Sequence, residues 1–197
     1  MAWGRLGSTT LSGYAENITY DIGASSLIEF MIHGIPDSNV QASFQFNSDT
    51  TAGNYNNVYQ TNGGSQYSDY SNQTKFRISP DTHTKPEFFI AYMANYSGKE
   101  KLIISHSCYA NTAGEATAPA RQVVMGKWAN TSDTVSNIKF FENTQAGGYT
   151  TGTNITTLGS DAGEGANSNG KVQDGAVFYE KDTNKEYILN NGVWTKL

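Results

Sequence analysis

The sequence predicts an all-β protein, an antiparallel β-sandwich of jelly-roll type with a small C-terminal β-meander. Three observations predict it. Apolar residues recur at every second position in segment after segment: in 40–46, Val40, Ala42, Phe44 and Phe46 alternate with Gln41, Ser43 and Gln45. Polar, glycine-rich stretches separate these segments, as exposed turns do. The chain carries no convincing helical apolar period.

Residues 1–11, with Trp3 and Leu6, read as a polar lead-in punctuated by glycine. Residues 17–22 give a first short strand, with Ile18, Tyr20 and Ile22 in step. Residues 27–46 read as a hairpin. Ile28, Phe30 and Ile32 line one face of its first strand; the opposite face, Leu27, Glu29, Met31 and His33, is mixed. Gly34, Pro36, Asp37 and Ser38 supply the turn, and the second strand is expected to show Gln41, Ser43 and Gln45 to water. Residues 47–74 read as a long polar loop, with a weak strand at Asn57–Gln60 as its one candidate interruption. Loops of that length inside a domain tend to be functional or mobile.

Strands resume at 75–79, 87–96 and 100–108, the last two joined at Gly98-Lys99. Residues 87–96 are apolar on both faces, as in a central strand. After a loop at 110–120, segments 121–129 and 135–142 read as a pair across Asn130–Thr134, and 153–158 as the last strand. The sandwich is thus expected over 1–158, followed by a glycine-rich linker at 159–173 and a meander at 174–197. The meander's strands are Val177–Glu180, Glu186–Leu189 and Val193–Lys196, with turns at Asp182–Lys185 and at Asn190-Asn191-Gly192.

Composition narrows the function. The 197 residues are 37% hydrophobic and 16% charged, with 20 glycines, which suits a β-protein rich in turns. A net charge of −5 without a basic stretch argues against nucleic acid. No apolar leader and no segment of transmembrane length is seen, so the expectation is a chain made and folded in a cytoplasm, with no membrane partner. Cys108, the single cysteine, excludes an intrachain disulfide and reads as a buried, inert thiol. Five Asn-x-Ser/Thr sequons read as by-products of Asn, Ser and Thr richness.

No nucleotide loop, nucleophile elbow, zinc helix or Cys-x-x-Cys pair is present. His33, His83 and His106 lack ligand spacing and read as strand or surface residues. Asp161 and Glu164, and Asp182, Asn184 and Glu186, lack the ligand order of a calcium loop, so neither metal nor cofactor is expected. The stretch with binding character is 53–74, where Tyr55, Tyr59, Tyr67 and Tyr70 stand among Gly, Asn, Ser and Gln. Tyrosine gives contact area at low entropy cost, small polar residues give adaptable hydrogen bonds, and both suit a glycan. The same tyrosines could instead cover their own sheet or a neighbouring subunit. In the meander, Phe178, Tyr179, Tyr187 and Trp194 are candidate assembly contacts, because so small a unit cannot bury them alone. A homo-oligomer is therefore expected.

Three stretches carry a resemblance. Ala2-Trp3-Gly4-Arg5-Leu6-Gly7-Ser8-Thr9-Thr10-Leu11, running on toward Leu27–His33, resembles the start of small jelly-roll virion proteins of tailed viruses, especially marine phages. Ile138–Asn143 through Asn154–Asp161 is similar to that family's final strands. Phe178-Tyr179-Glu180, Asp182–Lys185, Tyr187, Gly192 and Trp194 resemble a small module of phage tail-fibre and other virion proteins. The resemblance implies a non-enzymatic protein on the virion surface, a capsid decoration or cement protein, and alternatively a tail-fibre or receptor-binding adhesin for host surface glycan. It also implies other virion proteins, major capsid or tail, as partners, and makes a trimer the expected oligomer.

Overall fold

Two antiparallel sheets of unequal size face each other across an aromatic core. The computed structural model describes residues 3–23, 25–79, 83–110, 118–143, 147–160, 176–190 and 193–197. The larger sheet has eight strands, in spatial order β1 (Trp3–Thr10), β12 (Asn154–Ser160), β3 (Leu27–Gly34), β8 (Glu87–Ala94), β9 (Lys101–Tyr109), β10 (Ala120–Trp128), β5 (Tyr55–Thr61) and β6 (Gln66–Gln73). The smaller has four, in order β2 (Asn17–Asp21), β11 (Asn137–Glu142), β4 (Ala42–Phe46) and β7 (Phe76–Arg77). A separate three-stranded meander holds β13 (Val177–Glu180), β14 (Lys185–Asn190) and β15 (Val193–Lys196). The all-β antiparallel sandwich is therefore as the sequence predicts.

The alternation read from the sequence builds the core. Ile28, Phe30 and Ile32 of β3 point inward, and the Phe30 ring lies 5.1 Å from that of Phe44 on the facing sheet. Phe44 is flanked by Phe46 and Phe140, each at 5.9 Å, and Trp128 of the large sheet closes on Phe46 at 5.9 Å. Such tilted and edge-on pairs add to the burial of each ring. Gly126 of β10 is fixed by this packing. A Cβ there would stand 2.1 Å from the Asn56 carbonyl oxygen and 2.7 Å from the Phe76 ring.

Pairing departs from the hairpins expected. β3 and β4 do not pair; they belong to opposite sheets. The connection between them bonds elsewhere, with Ile35 N on Thr153 Oγ1 (2.9 Å), Asp37 N on Gly148 O (3.1 Å) and Val40 N on His83 O (2.9 Å). β10 and β11 likewise part. Val135 N donates to Asn95 Oδ1 (2.7 Å), and the Ser136 and Asn137 amides donate to Asn47 Oδ1, drawing this segment across to the small sheet. The outward side chains of β4 are not in water, for Ser43 and Gln45 are both buried. Residues 3–10, read as a lead-in, form edge strand β1 on β12. The expected hairpin at Gly98-Lys99 stands, joining β8 to β9.

The region 47–74 is mostly not a loop. Asp49 organises its start, accepting from Trp128 Nε1 (2.6 Å), Asn54 Nδ2 (2.8 Å) and Thr51 N (2.8 Å). Burial alone would raise the Asp49 pKa, but these donors together hold it below the usual carboxylate value. β5 and β6 then form a hairpin turned at Asn62-Gly63, both with positive φ, as an Asn-Gly turn requires. The linker's central and later residues, with Asp161 and Glu164, lie outside the described residues, as does Asn191-Gly192.

Phe44 makes the central inter-sheet contact, so Phe44→Ala is expected to cost about 3–5 kcal/mol. Urea unfolding followed by tryptophan fluorescence measures it; a loss below about 1 kcal/mol would remove Phe44 from the centre of the core.

Candidate functional site

The four tyrosines of 53–74 do not converge on one site. Tyr55 is fully buried; its hydroxyl accepts from Phe46 N (3.0 Å) and donates to Asp49 O (3.1 Å). Burial drives its phenol pKa well above the ordinary value. Tyr55 is thus a core residue rather than a binding residue, because it opens the first inward position of β5 opposite Trp128. Tyr59 packs against the core and stacks on Tyr67 across the β5–β6 pair, with ring centroids 5.5 Å apart. Tyr67 is exposed, and Tyr70 lies further along β6. What the hairpin offers a partner is one stacked pair with one open ring.

A buried acid–histidine cluster was not read from the sequence. His83 Nε2 lies 2.6 Å from Glu87 Oε2, and Tyr149 donates to Glu87 Oε1 (3.1 Å). The His83 ring stacks on Tyr109 at 3.8 Å, and its Nδ1 contacts Lys85 O at 3.1 Å. Ser79 Oγ lies 3.3 Å from the same His83 Nε2. A Ser–His–acid relay needs hydroxyl and carboxylate on opposite ring nitrogens. Here both meet Nε2 and a backbone carbonyl takes Nδ1, so the cluster ties Ser79 and His83–Glu87 to the core. A His and a Glu four residues apart on an apparent loop-to-strand boundary are its only sequence trace.

The surface with most to explain is the outer face of the large sheet. Antiparallel sheets with a solvated face normally show polar residues there. On β8 and β9 the outward residues include Phe88, Tyr92, Leu102 and Ile104, all exposed. Cross-strand register sets Tyr92 beside Ile104 and Ile104 beside Met125 of β10, with Val58 of β5 next in the row. At one end Trp3, Leu27, Tyr92, Ala94 and Leu102 surround a groove of about 310 Å³. Ala94 leaves the hollow that its larger neighbours frame. Cys108 lies on this face and is exposed, not buried, since β9 points Ser105, Ser107 and Tyr109 inward and Leu102, Ile104, His106 and Cys108 outward. His33 and His106 also open onto this face, whereas His83 is buried.

The meander presents a second apolar surface. Phe178, Tyr187 and Trp194 share one side, the Phe178 ring lying 6.2 Å from Tyr187 and 6.0 Å from Trp194. Phe178, Tyr179 and Trp194 are exposed and Tyr187 half-buried. The hydrogen bonds and ring contacts described for the meander are internal, such as Leu189 N to Ala176 O (2.9 Å), Leu197 N to Glu186 O (2.8 Å) and Tyr179 OH to Asn184 Oδ1 (2.7 Å). No family model matches the chain, and no curated protein matches it.

Burial holds the Glu87 pKa above the ordinary carboxyl value, despite the opposing pull of His83, Tyr149 and Ser79. A folded pKa above the unfolded one gives a contribution that is complete below about pH 4.3 and is lost as pH rises toward the folded value. Glu87→Gln cannot ionise. Its stability relative to the wild type is therefore expected to improve from about pH 4 to about pH 8 in urea titrations. A difference that stays flat with pH, or moves the other way, contradicts the assignment.

Proposed function

We propose that this chain is a non-enzymatic structural protein of a virion surface, a capsid decoration or cement protein that works as a homo-oligomer. The reading's jelly-roll component comes from the strand pattern of the sequence, its synthesis in a host cytoplasm from the lack of an apolar leader in that sequence, and its tailed-virus component and partners, the major capsid or tail proteins, from the sequence resemblance. Its structural support is the pair of exposed apolar surfaces. Soluble monomers rarely leave contiguous apolar patches beyond a few hundred Å² in water. Strands about 4.8 Å apart, rising about 3.4 Å per residue, give the whole outward face of β3, β8, β9, β10 and β5, its polar residues such as His33, His106 and Arg121 included, roughly 600–700 Å² per copy. Stable interfaces bury about 800 Å² per partner, so this face is of assembly size.

The occupant proposed for the groove is the meander of a neighbouring copy. Groove and meander are both apolar and aromatic. Across β3, β8, β9, β10 and β5 the one outward carboxylate is Glu29, so the net charge of −5 does not set the copies against each other there. A contact between two different surfaces of one chain is heterologous and closes into a ring when the rotation allows. That fits the trimer the resemblance implies. The alternative reading, a tail-fibre or receptor-binding adhesin, draws on the open Tyr67 ring stacked on Tyr59. Loss of cell binding on Tyr67→Ala, with oligomer mass unchanged, favours that reading.

Light scattering on the purified chain is expected to give a multiple of 21.4 kDa, a trimer in the favoured case. Leu102→Glu places a carboxylate in the groove and is expected to raise the dissociation constant by about a hundredfold or more, equivalent to about 3 kcal/mol. A wild-type mass near 21.4 kDa at micromolar concentration overturns the assembly. Copy number per particle separates decoration, with copies in the hundreds, from a tail position with a small multiple of six or twelve.

A further inference from the structure

The opposite side of the sandwich carries a cleft of different character. It lies on the outer face of the small sheet and measures about 440 Å³, within the range of small-molecule sites. Strand β11 turns Ile138 and Phe140 into the core and leaves Lys139 and Phe141 outward. These two make the floor, the Lys139 ammonium lying 4.9 Å from the centre of the Phe141 ring. Lys75 stands on the β7 side, and Glu16 and Asn17 on the β2 side.

Three features point to a ligand. First, two ammonium groups line one cleft, and among the described residues neither makes an ion pair. Burial, then the nearby Arg77 charge, hold Lys75 below the usual lysine pKa, with Glu142 opposing. Such a cation gains from an anion placed beside it. Second, Asn143 donates its amide Nδ2 to Gln41 Oε1 (2.6 Å), while its Oδ1 is out of water and accepts nothing among the described residues. Buried polar atoms in native proteins are almost always satisfied, so this oxygen calls for a donor. Third, the Glu142 carboxylate is turned in, accepting from Gln41 N (3.2 Å), which leaves Glu16 as the exposed carboxylate of a cleft lined by two lysines.

We propose that this cleft binds an anionic saccharide unit, a sugar ring bearing a carboxylate or sulfate. The anionic group sits between Lys75 and Lys139. Ring hydroxyls donate to Asn143 Oδ1 and to the Glu16 carboxylate. The sugar's apolar face lies along the Phe141 ring and the Lys139 stem. A neutral sugar leaves both ammonium groups unpaired, and a bare inorganic anion leaves the Asn143 acceptor unpaired; a charged sugar meets both. This site is distinct from the Tyr59–Tyr67 pair and does not depend on the assembly reading, since a monomer can bind sugar and an oligomer can fail to.

Calorimetric titration of the full chain with three tetrasaccharides tests it: an oligouronate, a sulfated neutral oligosaccharide, and the uncharged backbone. At least one anionic probe is expected to bind with a dissociation constant below about 1 mM and at least about tenfold more tightly than the uncharged one. The combination Lys75→Gln with Lys139→Gln, and separately Phe141→Ala, is expected to weaken that binding about tenfold or more, with thermal unfolding confirming that each variant is folded. Raising salt is expected to weaken it further. Which anionic probe binds distinguishes carboxylate from sulfate. No binding of either at about 10 mM, equal binding of the uncharged probe, or undiminished binding to the folded double-lysine variant overturns the proposal. Light-scattering mass, unchanged by the lysine substitutions, keeps this outcome separate from that of the assembly.

Discussion

The contact between Phe44 and Phe30 is the one on which the rest of the structure depends. It sets the small sheet on the middle of the large one, and the neighbouring rings of Phe46, Phe140 and Trp128 extend it. Four strands lie against eight, and each sheet keeps side chains at least partly open to solvent on its outer face. The chain uses the two differently. The large sheet shows Phe88, Tyr92, Leu102, Ile104 and Met125, and the small sheet shows Lys139 and Phe141 beside a polar cleft. Solvation alone would favour polar residues on both.

The strands themselves were legible, because period-two alternation is a local signal. The three strands of the meander fall within a residue or so of where the sequence places them. Pairing was not legible. Which strands join is decided by side chains such as Asn47 and Asn95, which accept from backbone amides of 135–137, some 40 to 90 positions away in the chain. Nothing local in an asparagine reveals a partner at that distance. The β5–β6 hairpin did have a signal in Asn62-Gly63, masked by the polar composition around it.

The misreading of Cys108 has a physical cause that also bears on function. An apolar alternation is ordinarily assigned to the core. In β9 the assignment inverts, for Lys101, Ser105 and Ser107 are buried while Leu102 and Ile104 face out. Lys101 tolerates this because its ammonium donates to Lys99 O (2.7 Å) and Asn130 O (2.9 Å) and lies 5.7 Å from the centre of the Trp128 ring. A strand that buries a lysine and exposes leucine and isoleucine is the observation that supports the proposed assembly surface. Of the sites read from the sequence, the meander aromatics stayed on the surface and Tyr55 joined the core; the cleft could not be seen, since Lys75, Lys139 and Asn143 meet only through the fold.

The central claim is that the meander of one copy seats on the large sheet of another. Mixing two disabled chains tests it most directly. One lacks residues 176–197 and keeps the groove; the other carries Leu102→Glu and keeps the meander. The meander's described hydrogen bonds are internal, so its removal leaves the sandwich's own bonding in place. Each chain alone is expected to sediment as a monomer, and the mixture is expected to form a one-to-one complex, because one supplies the meander and the other an intact groove. Two species that remain separate at concentrations where the wild type assembles would contradict the account.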